Sequence, residues 1–316
     1  VNMLVRVADI ESETPDIRTL RLVRTDGTLF PLYSPGAHID VTGPTGVLRQ
    51  YSLCSPPGDP SSLLIAVKRE PNSRGGSVAL HEVKVGDHLK ISEPRNLLTI
   101  AEDASEHVLV AGGIGVTPLL SMAYELWQRG ADFTLHYFAS SREKMSFREF
   151  LEERAEFRHR VRLHFGVPLK ERTRLLTKVA KGLPAGTHAY TCGPGPFMEH
   201  VTSILAPVVG EGNVHVEHFV AEGIDTSRDK PFVVELDGVE YDIPEDQSIL
   251  GVLEENGVEV FKSCEEGICG SCISGVLEGV PDHRDSCLSN ADKAAGKEMA
   301  LCVSRALTDK LVIELY

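Results

Sequence analysis

Residues 108–127 read VLVAGGIGVTPLLSMAYELW, and the reading of that stretch decides the fold. Its length and apolar character suit a membrane-spanning helix, for which about 20 apolar residues suffice. Gly112, Gly113, Gly115 and Pro118 argue otherwise, because they weaken or break a continuous helix. A buried strand that ends in a glycine turn and opens into a helix accounts for all four. The glycines let the backbone approach a diphosphate closely. Thr117 can cap the helix and Pro118 suits its first turn, which leaves N–H groups free for an anion. The stretch predicts a nucleotide-binding turn in a soluble α/β domain.

From about His107 to Phe219, apolar runs (HVLVAG, FTLHYFA, VRLHFG, HAYTCG, VHVEHF) alternate with helical stretches such as TPLLSMAYELWQ and FREFLEERAEF. Alternation of this kind predicts βαβ units around a parallel sheet. A second glycine turn, TCGPGPFM (191–198), follows the fourth run and places Cys192, Gly193 and Pro194 at the carboxyl edge, where ligands bind. Cys192 there either touches a nicotinamide or is a small buried thiol. The dinucleotide fingerprint expects an acid about 20 residues on for the ribose diol. After its second strand this chain instead has ASSRE (139–143). Ser140, Ser141 and Arg142 can face a ribose or a 2′-phosphate, so the chemistry leaves NADH and NADPH both open.

Before this region, up to about Ile100, short alternating runs are broken by turn residues: VRVADI, IRTLRLV, HIDVTG, RQYSLC, LLIAVKR and DHLKIS. Their spacing predicts a small antiparallel barrel. Arg49 and Ser52 can hold phosphate or ring oxygens, and Tyr51 can lie against a ring. Lys68, Arg69 and Arg74 add cations, and the Gly-Gly-Ser turn of SRGGSVAL (73–80) is a further phosphate cradle. Each taken singly reads as ordinary barrel surface.

After the sheet, EGIDTSRDK (222–230) reads as a linker. A hairpin signal follows, FVVELDGVEYDI, with Asp237–Gly238 in a tight turn, then a helical stretch, SILGVLEEN. Next comes SCEEGICGSC (263–272). Cys264, Cys269 and Cys272 are spaced C-x4-C-x2-C, and 29 residues separate them from Cys302. This is the plant-type [2Fe–2S] spacing, in which soft thiolates hold two tetrahedral irons. Gly267 and Gly270 let the loop curl and point N–H groups at sulfur. A structural zinc site would more often use two CxxC knuckles, and only one is present. Of the seven cysteines, Cys287 is the rival fourth ligand. It lies in a polar stretch, whereas Cys302 is read as beginning an apolar strand, LCVSRAL, and is preferred. KLVIEL reads as the last strand.

Net charge is −14, and residues 229–316 carry 19 acidic against 7 basic side chains. That excludes nucleic acid as a natural partner, since its phosphates would be repelled, and it suits steering toward a basic protein surface. The opening residues VNMLVRVADIE lack the basic start and apolar core of a signal peptide. The chain is expected to be cytoplasmic, with no membrane partner.

A nicotinamide delivers two electrons at once and a [2Fe–2S] cluster accepts one, so a flavin is required between them. RQYSL, RGGS, GGIGVTPLLSM, CGPGPFM and the cysteine pattern occur here in one order. That order resembles the phthalate dioxygenase reductase family, which includes the reductase components of vanillate O-demethylases and related Rieske oxygenases. The resemblance spans essentially the whole chain. It implies a multi-domain protein: an antiparallel β-barrel binding FMN (residues 1–102), an α/β parallel-sheet NAD domain (103–223) and an α+β, β-grasp plant-type ferredoxin domain (229–316). It implies FMN contacts at Arg49, Gln50, Tyr51 and Ser52, at Val67, Lys68 and Arg69, and at Gly75, Gly76 and Ser77. Thr117 is expected to approach the flavin and Phe219 to cover its ring. The implied activity is electron transfer from NADH through FMN and the cluster to a terminal oxygenase, docked through the acidic ferredoxin domain. Two other functions fit the same motifs: a flavin reductase supplying free reduced flavin, and a non-catalytic iron–sulfur carrier or sensor.

Overall fold

A computed structural model describes residues 3–70, 75–219, 226–227 and 229–316. The chain divides into two compact units, Val1–Glu217 and His218–Tyr316. Among the described residues no helix is long and apolar enough to cross a membrane, because 108–127 splits as its glycines require.

The first unit opens with six antiparallel strands, β1 (Met3–Ser12), β2 (Ile17–Arg24), β3 (His38–Thr42), β4 (Leu48–Ser52), β5 (Leu63–Lys68) and β6 (His88–Ile91). They are ordered β4-β3-β6-β1-β2-β5. A bridge between Leu53 and Ile65 joins the two edges and closes the sheet into a barrel, which removes the exposed strand edges. Alternate residues such as Val5, Val7, Leu20, Leu22, Ile39 and Val41 point inward and form its core. A short helix, α1 (Gly76–Glu82), follows β5.

The rest of the unit is a five-stranded parallel sheet of β7 (Glu106–Gly112), β8 (Phe133–Ala139), β9 (Val161–Phe165), β10 (Thr187–Cys192) and β11 (Val214–Glu217), ordered β11-β10-β7-β8-β9. Helix α2 (Val116–Gln128) covers one face, while α3 (Leu169–Lys181) and α4 (Gly195–Val209) cover the other. Strand order reverses between β7 and β10. That switch point is where open α/β sheets bind ligands, beyond the strands' carboxyl ends. Both glycine turns leave the sheet there.

One expected helix is absent. FREFLEERAEF forms only a π-helical turn, Phe150–Arg154, in which Ala155 N–H bonds to Phe150 O at 2.7 Å. Phe147, Phe150 and Phe157 all pack into the apolar core of this sheet. Seating those rings takes precedence over continuing an α-helical period, and Phe147 adopts φ 56°.

The second unit is a mixed sheet of β12 (Phe232–Leu236), β13 (Val239–Ile243), β14 (Ile273–Glu278), β16 (Glu298–Ala300) and β18 (Lys310–Glu314), ordered β13-β12-β18-β14-β16. The flanking elements are α5 (Ile249–Glu255), α6 (Asn290–Ala295) and a two-residue ladder of β15 (Pro281–Asp282) with β17 (Arg305–Ala306). Asp237 at φ 52° and Gly238 at φ 78° make the expected hairpin turn. Ser248 caps α5 by accepting the Gly251 N–H at 3.0 Å. Asp229 is enclosed by Arg284 at 2.6 Å and Arg305 at 3.5 Å. Arg305 also donates to the carbonyls of Lys230, Pro244 and Gln247, so the start of this unit is pinned to its last strands. LCVSRAL is not a strand. Only Arg305–Ala306 pairs, and Cys302 sits in the turn after β16. The chain must bend there to bring the Cys302 sulfur back toward Cys272.

Candidate functional site

In the cysteine loop the sulfurs meet two by two. The Cys264 side chain hydrogen-bonds to Cys269 and holds its thiol well below the ordinary range, while Cys264 is pushed up in return. Cys302 and Cys272 form the second pair in the same way, with Cys272 lowered and Cys302 raised. Backbone N–H groups of Glu266 and Ser271 donate to the sulfurs of Cys264 and Cys269, each at 3.3 Å. Positive φ at Glu265, Gly267 and Gly270, at 58°, 74° and 70°, curls the loop to aim them. Among the described residues no three such side chains converge on one metal ion. Two sulfur pairs, each ringed by N–H donors, instead fit one iron per pair of a two-iron cluster. The Cys287 sulfur contacts Asp285 at 3.4 Å, and burial raises its pKa. Cys302, not Cys287, is the thiol paired with Cys272.

In the barrel, three separated segments come together. A Cβ at Gly76 would lie 3.0 Å from Arg49 Cγ, so glycine lets the start of α1 settle closely on β4. Ser77 Oγ accepts the Glu70 N–H at 3.0 Å, which ties the same helix to the end of β5. Residues 49–52, 67–70 and 75–77 thereby line one region. Gln50 Nε2 donates to Asp40 at 3.1 Å, and Arg95 holds Asp40 at 2.8 Å. Ser52 and Val67 are buried, Tyr51 is half-buried and Arg69 exposed. Lys68 pairs with Glu70 at 2.5 Å. Arg74 lies outside the described residues. The half-buried Arg49, beside a glycine turn at φ 89°, suits a phosphate-bearing ring ligand such as a flavin mononucleotide.

At the switch point the two glycine turns pack backbone against backbone. A Cβ at Gly115 would lie 2.3 Å from Cys192 O, and one at Gly112 would lie 2.9 Å from the Phe197 ring. Gly113, at φ 56°, has open space on its outer side, so its backbone is open to close approach by a ligand. Thr117 does not cap α2. Its hydroxyl donates back to Ile114 O at 3.1 Å, because the helix begins earlier, at Val116, after a 3-10 turn at Gly113–Gly115. Pro118 lies in the first turn as expected. The Cys192 side chain is fully buried, and its thiol is raised well above the usual range by that burial. Gly193 and Pro194 follow it into the turn that opens α4. Ser140 and Arg142 are exposed just beyond β8. Phe219 is half-buried, two residues past β11, and belongs to the second unit.

Sequence reasoning passed over Glu217. It ends β11 in register with Cys192, and its Oε2 is enclosed without a hydrogen-bond partner among the described residues. Burial lifts its carboxyl to about 8. The signal available in the sequence is an acid ending a strand of alternating apolar and polar residues, VHVEHF.

A flavin barrel, a nucleotide sheet with its switch-point turns and a sulfur-paired β-grasp loop define a modular electron-transfer oxidoreductase. Residues 232–307 match the family described as a 2Fe-2S iron-sulfur cluster binding domain. The chain is 42% identical over 304 residues to a vanillate O-demethylase oxidoreductase of Pseudomonas sp. (strain HR199), covering 95% of this chain and 96% of that one. It is similar to a solved phthalate dioxygenase reductase, described as a modular structure for electron transfer from pyridine nucleotides to [2Fe–2S]. That match has 35% identity and a TM-score of 0.73, and it covers 99% of this chain and 98% of the other. An intact type IV self-sufficient cytochrome P450 monooxygenase matches 99% of this chain at 37% identity and a TM-score of 0.88, but the chain spans only 41% of it. The chain belongs to the phthalate dioxygenase reductase family, whose members are oxidoreductases that pass electrons to oxygenases and demethylases.

Proposed function

We propose that this chain takes hydride from NADH and delivers single electrons to a separate Rieske-type oxygenase or demethylase. The pairing of Cys264 with Cys269 and of Cys272 with Cys302 carries this reading, because a two-iron centre accepts single electrons and here follows a flavin barrel and a nucleotide sheet in one chain. When bound, FMN supplies the exchange between one- and two-electron chemistry.

The residues supply alignment and charge. Gly112, Gly113, Gly115, Thr117 and Pro118 would hold the diphosphate of the nucleotide, and Cys192, Gly193 and Pro194 its nicotinamide end. Arg49, Gln50, Tyr51 and Ser52, with residues 67–69 and 75–77, would hold FMN, and Phe219 would be the residue to screen its ring. Cys264, Cys269, Cys272 and Cys302 hold the cluster. The corresponding division is residues 1–102, 103–223 and 229–316. The acidic last segment docks the oxygenase by complementary charge, which makes the reaction rate sensitive to salt. A cytoplasmic location fits an NADH donor and unbridged thiols. Similar chains serve a demethylase and a fused P450, so the partner's substrate is not written in these residues.

The test is Cys272→Ala. Reduction of one-electron protein acceptors should vanish while NADH-driven flavin bleaching persists. Equal loss of both would refute the order of the relay.

A further inference from the structure

The adenosine end of the nucleotide has to be read beyond β8, where the chain is ASSRE (139–143). Arg142 is exposed there, but its guanidinium is engaged. Nη2 lies 2.9 Å from Glu152 Oε2, and Cζ sits 5.3 Å from the centre of the Phe165 ring. Arg148 Nη1 reaches the same Glu152 oxygen at 2.8 Å. One carboxylate thus holds two arginines beside the place where a ribose would be recognised.

Glu152 owes its position to an irregular backbone. It lies within the π-helical turn Phe150–Arg154, a form that recurs at functional positions. That turn follows Phe147, whose φ of 56° is costly for a bulky residue. The conformation is held by burial of the ring and by Glu13, whose carboxylate accepts the Phe147 N–H at 2.6 Å. A regular helix over 147–157 would start from a different turn and present Glu152 elsewhere.

We propose that Glu152 selects NADH over NADPH by occupying Arg142 and Arg148. A 2′-phosphate needs a planar guanidinium for paired, charge-assisted hydrogen bonds. Here it meets cations already neutralised in part, together with a carboxylate that repels it. A ribose 2′-hydroxyl needs no cation and is not excluded. Glu152 acts through the arginines and is a positioning residue. The inference rests on the nucleotide-site reading above.

The test is calorimetric titration of the full flavin- and cluster-loaded chain with ADP-ribose and with ADP-ribose 2′-phosphate, comparing the parent with Glu152→Gln. The affinity ratio should shift about tenfold toward the phosphorylated ligand in the variant. The NADPH-to-NADH ratio of kcat/KM should follow through KM, with kcat for NADPH little altered. Adding Arg142→Ala to Glu152→Gln should abolish the shift, and unchanged flavin and cluster absorbance would show that both variants fold. An unmoved ratio in Glu152→Gln, or a shift that survives loss of Arg142, overturns the proposal. If the parent binds neither ligand, the nucleotide-site reading falls and takes this inference with it.

Discussion

The switch-point turns and the cysteine loop are both rich in glycine, yet glycine does different work in each. At the switch point the requirement is space. Gly115 has an ordinary φ of −63°, but a side chain there would strike the Cys192 carbonyl at 2.3 Å. In the cysteine loop direction is required as well as space, since Gly267 and Gly270 take φ of 74° and 70° so that neighbouring N–H groups face sulfur. On the proposed reading, a nucleotide would be received by backbone held close to backbone, and a cluster by a backbone curled around its ligands. Damage to one region should therefore leave the other half of the electron path working.

Gly115→Ala should give the largest effect. The two turns must part, because a carbonyl cannot rotate away as a long side chain would, and overpacking of this kind costs about 1–3 kcal/mol. A shift of roughly 1 Å in the nucleotide cradle lowers the rate about a hundredfold. Stopped-flow bleaching of the flavin by NADH should slow to that extent, while chemical reduction of the cluster by dithionite proceeds as in the parent. Loss of both would show that the two regions are not separable.

Gly267→Ala attacks the other side. Left-handed backbone costs an alanine about 1–2 kcal/mol, and the new Cβ would meet Val303 Cγ2 at 2.6 Å and Asp285 Cα at 3.2 Å. Val303 can turn aside, so the expected result is partial: iron and acid-labile sulfide should fall to about half per chain at that cost. Flavin content and NADH-driven bleaching should hold. Full cluster occupancy would show that loop curvature is not what seats the metal.

These regions also differ in how far the sequence reveals them. Thiol spacing along a short loop is set by local chain geometry, so Cys264, Cys269 and Cys272 can be read directly. The nearness of Cys302 to the other thiols is anticipated, but its local structure is misread, because LCVSRAL has strand-like composition and only the tertiary demand of meeting Cys272 bends it. In the nucleotide sheet, strand periodicity predicts all five strands. FREFLEERAEF reads as a helix because its charges and rings have helical spacing, and the burial of Phe147 and Phe157 that breaks the pattern is non-local. Thr117 is misassigned as a cap for a smaller reason: the helix starts two positions earlier than a Thr-Pro pair suggests. Glu217 shows in the sequence only as an acid at a strand end, and the enclosure of its carboxyl depends on neighbours such as β10 that are non-local.

Glu217 supplies the smallest and most selective prediction. In the cysteine loop contact with a partner sulfur is the largest influence on each thiol, whereas at Glu217 enclosure alone lifts the carboxyl from 4.5 to about 8. The folded protein then keeps a proton that the unfolded chain releases above its ordinary carboxyl range. Between roughly pH 4.5 and pH 8 the native state binds more protons, so this group makes stability fall as pH rises, and its contribution levels off above the raised value. Glutamine preserves the shape and removes the titration. Glu217→Gln should therefore show a flatter plot of Tm against pH, with its advantage over the parent growing from pH 5 to pH 8. Parallel plots would mean that the carboxylate is ionised in the folded protein, with its charge met by water or a cation at the edge of β11. In that case burial would not govern this end of the sheet, and the contrast with the cysteine loop would fail there.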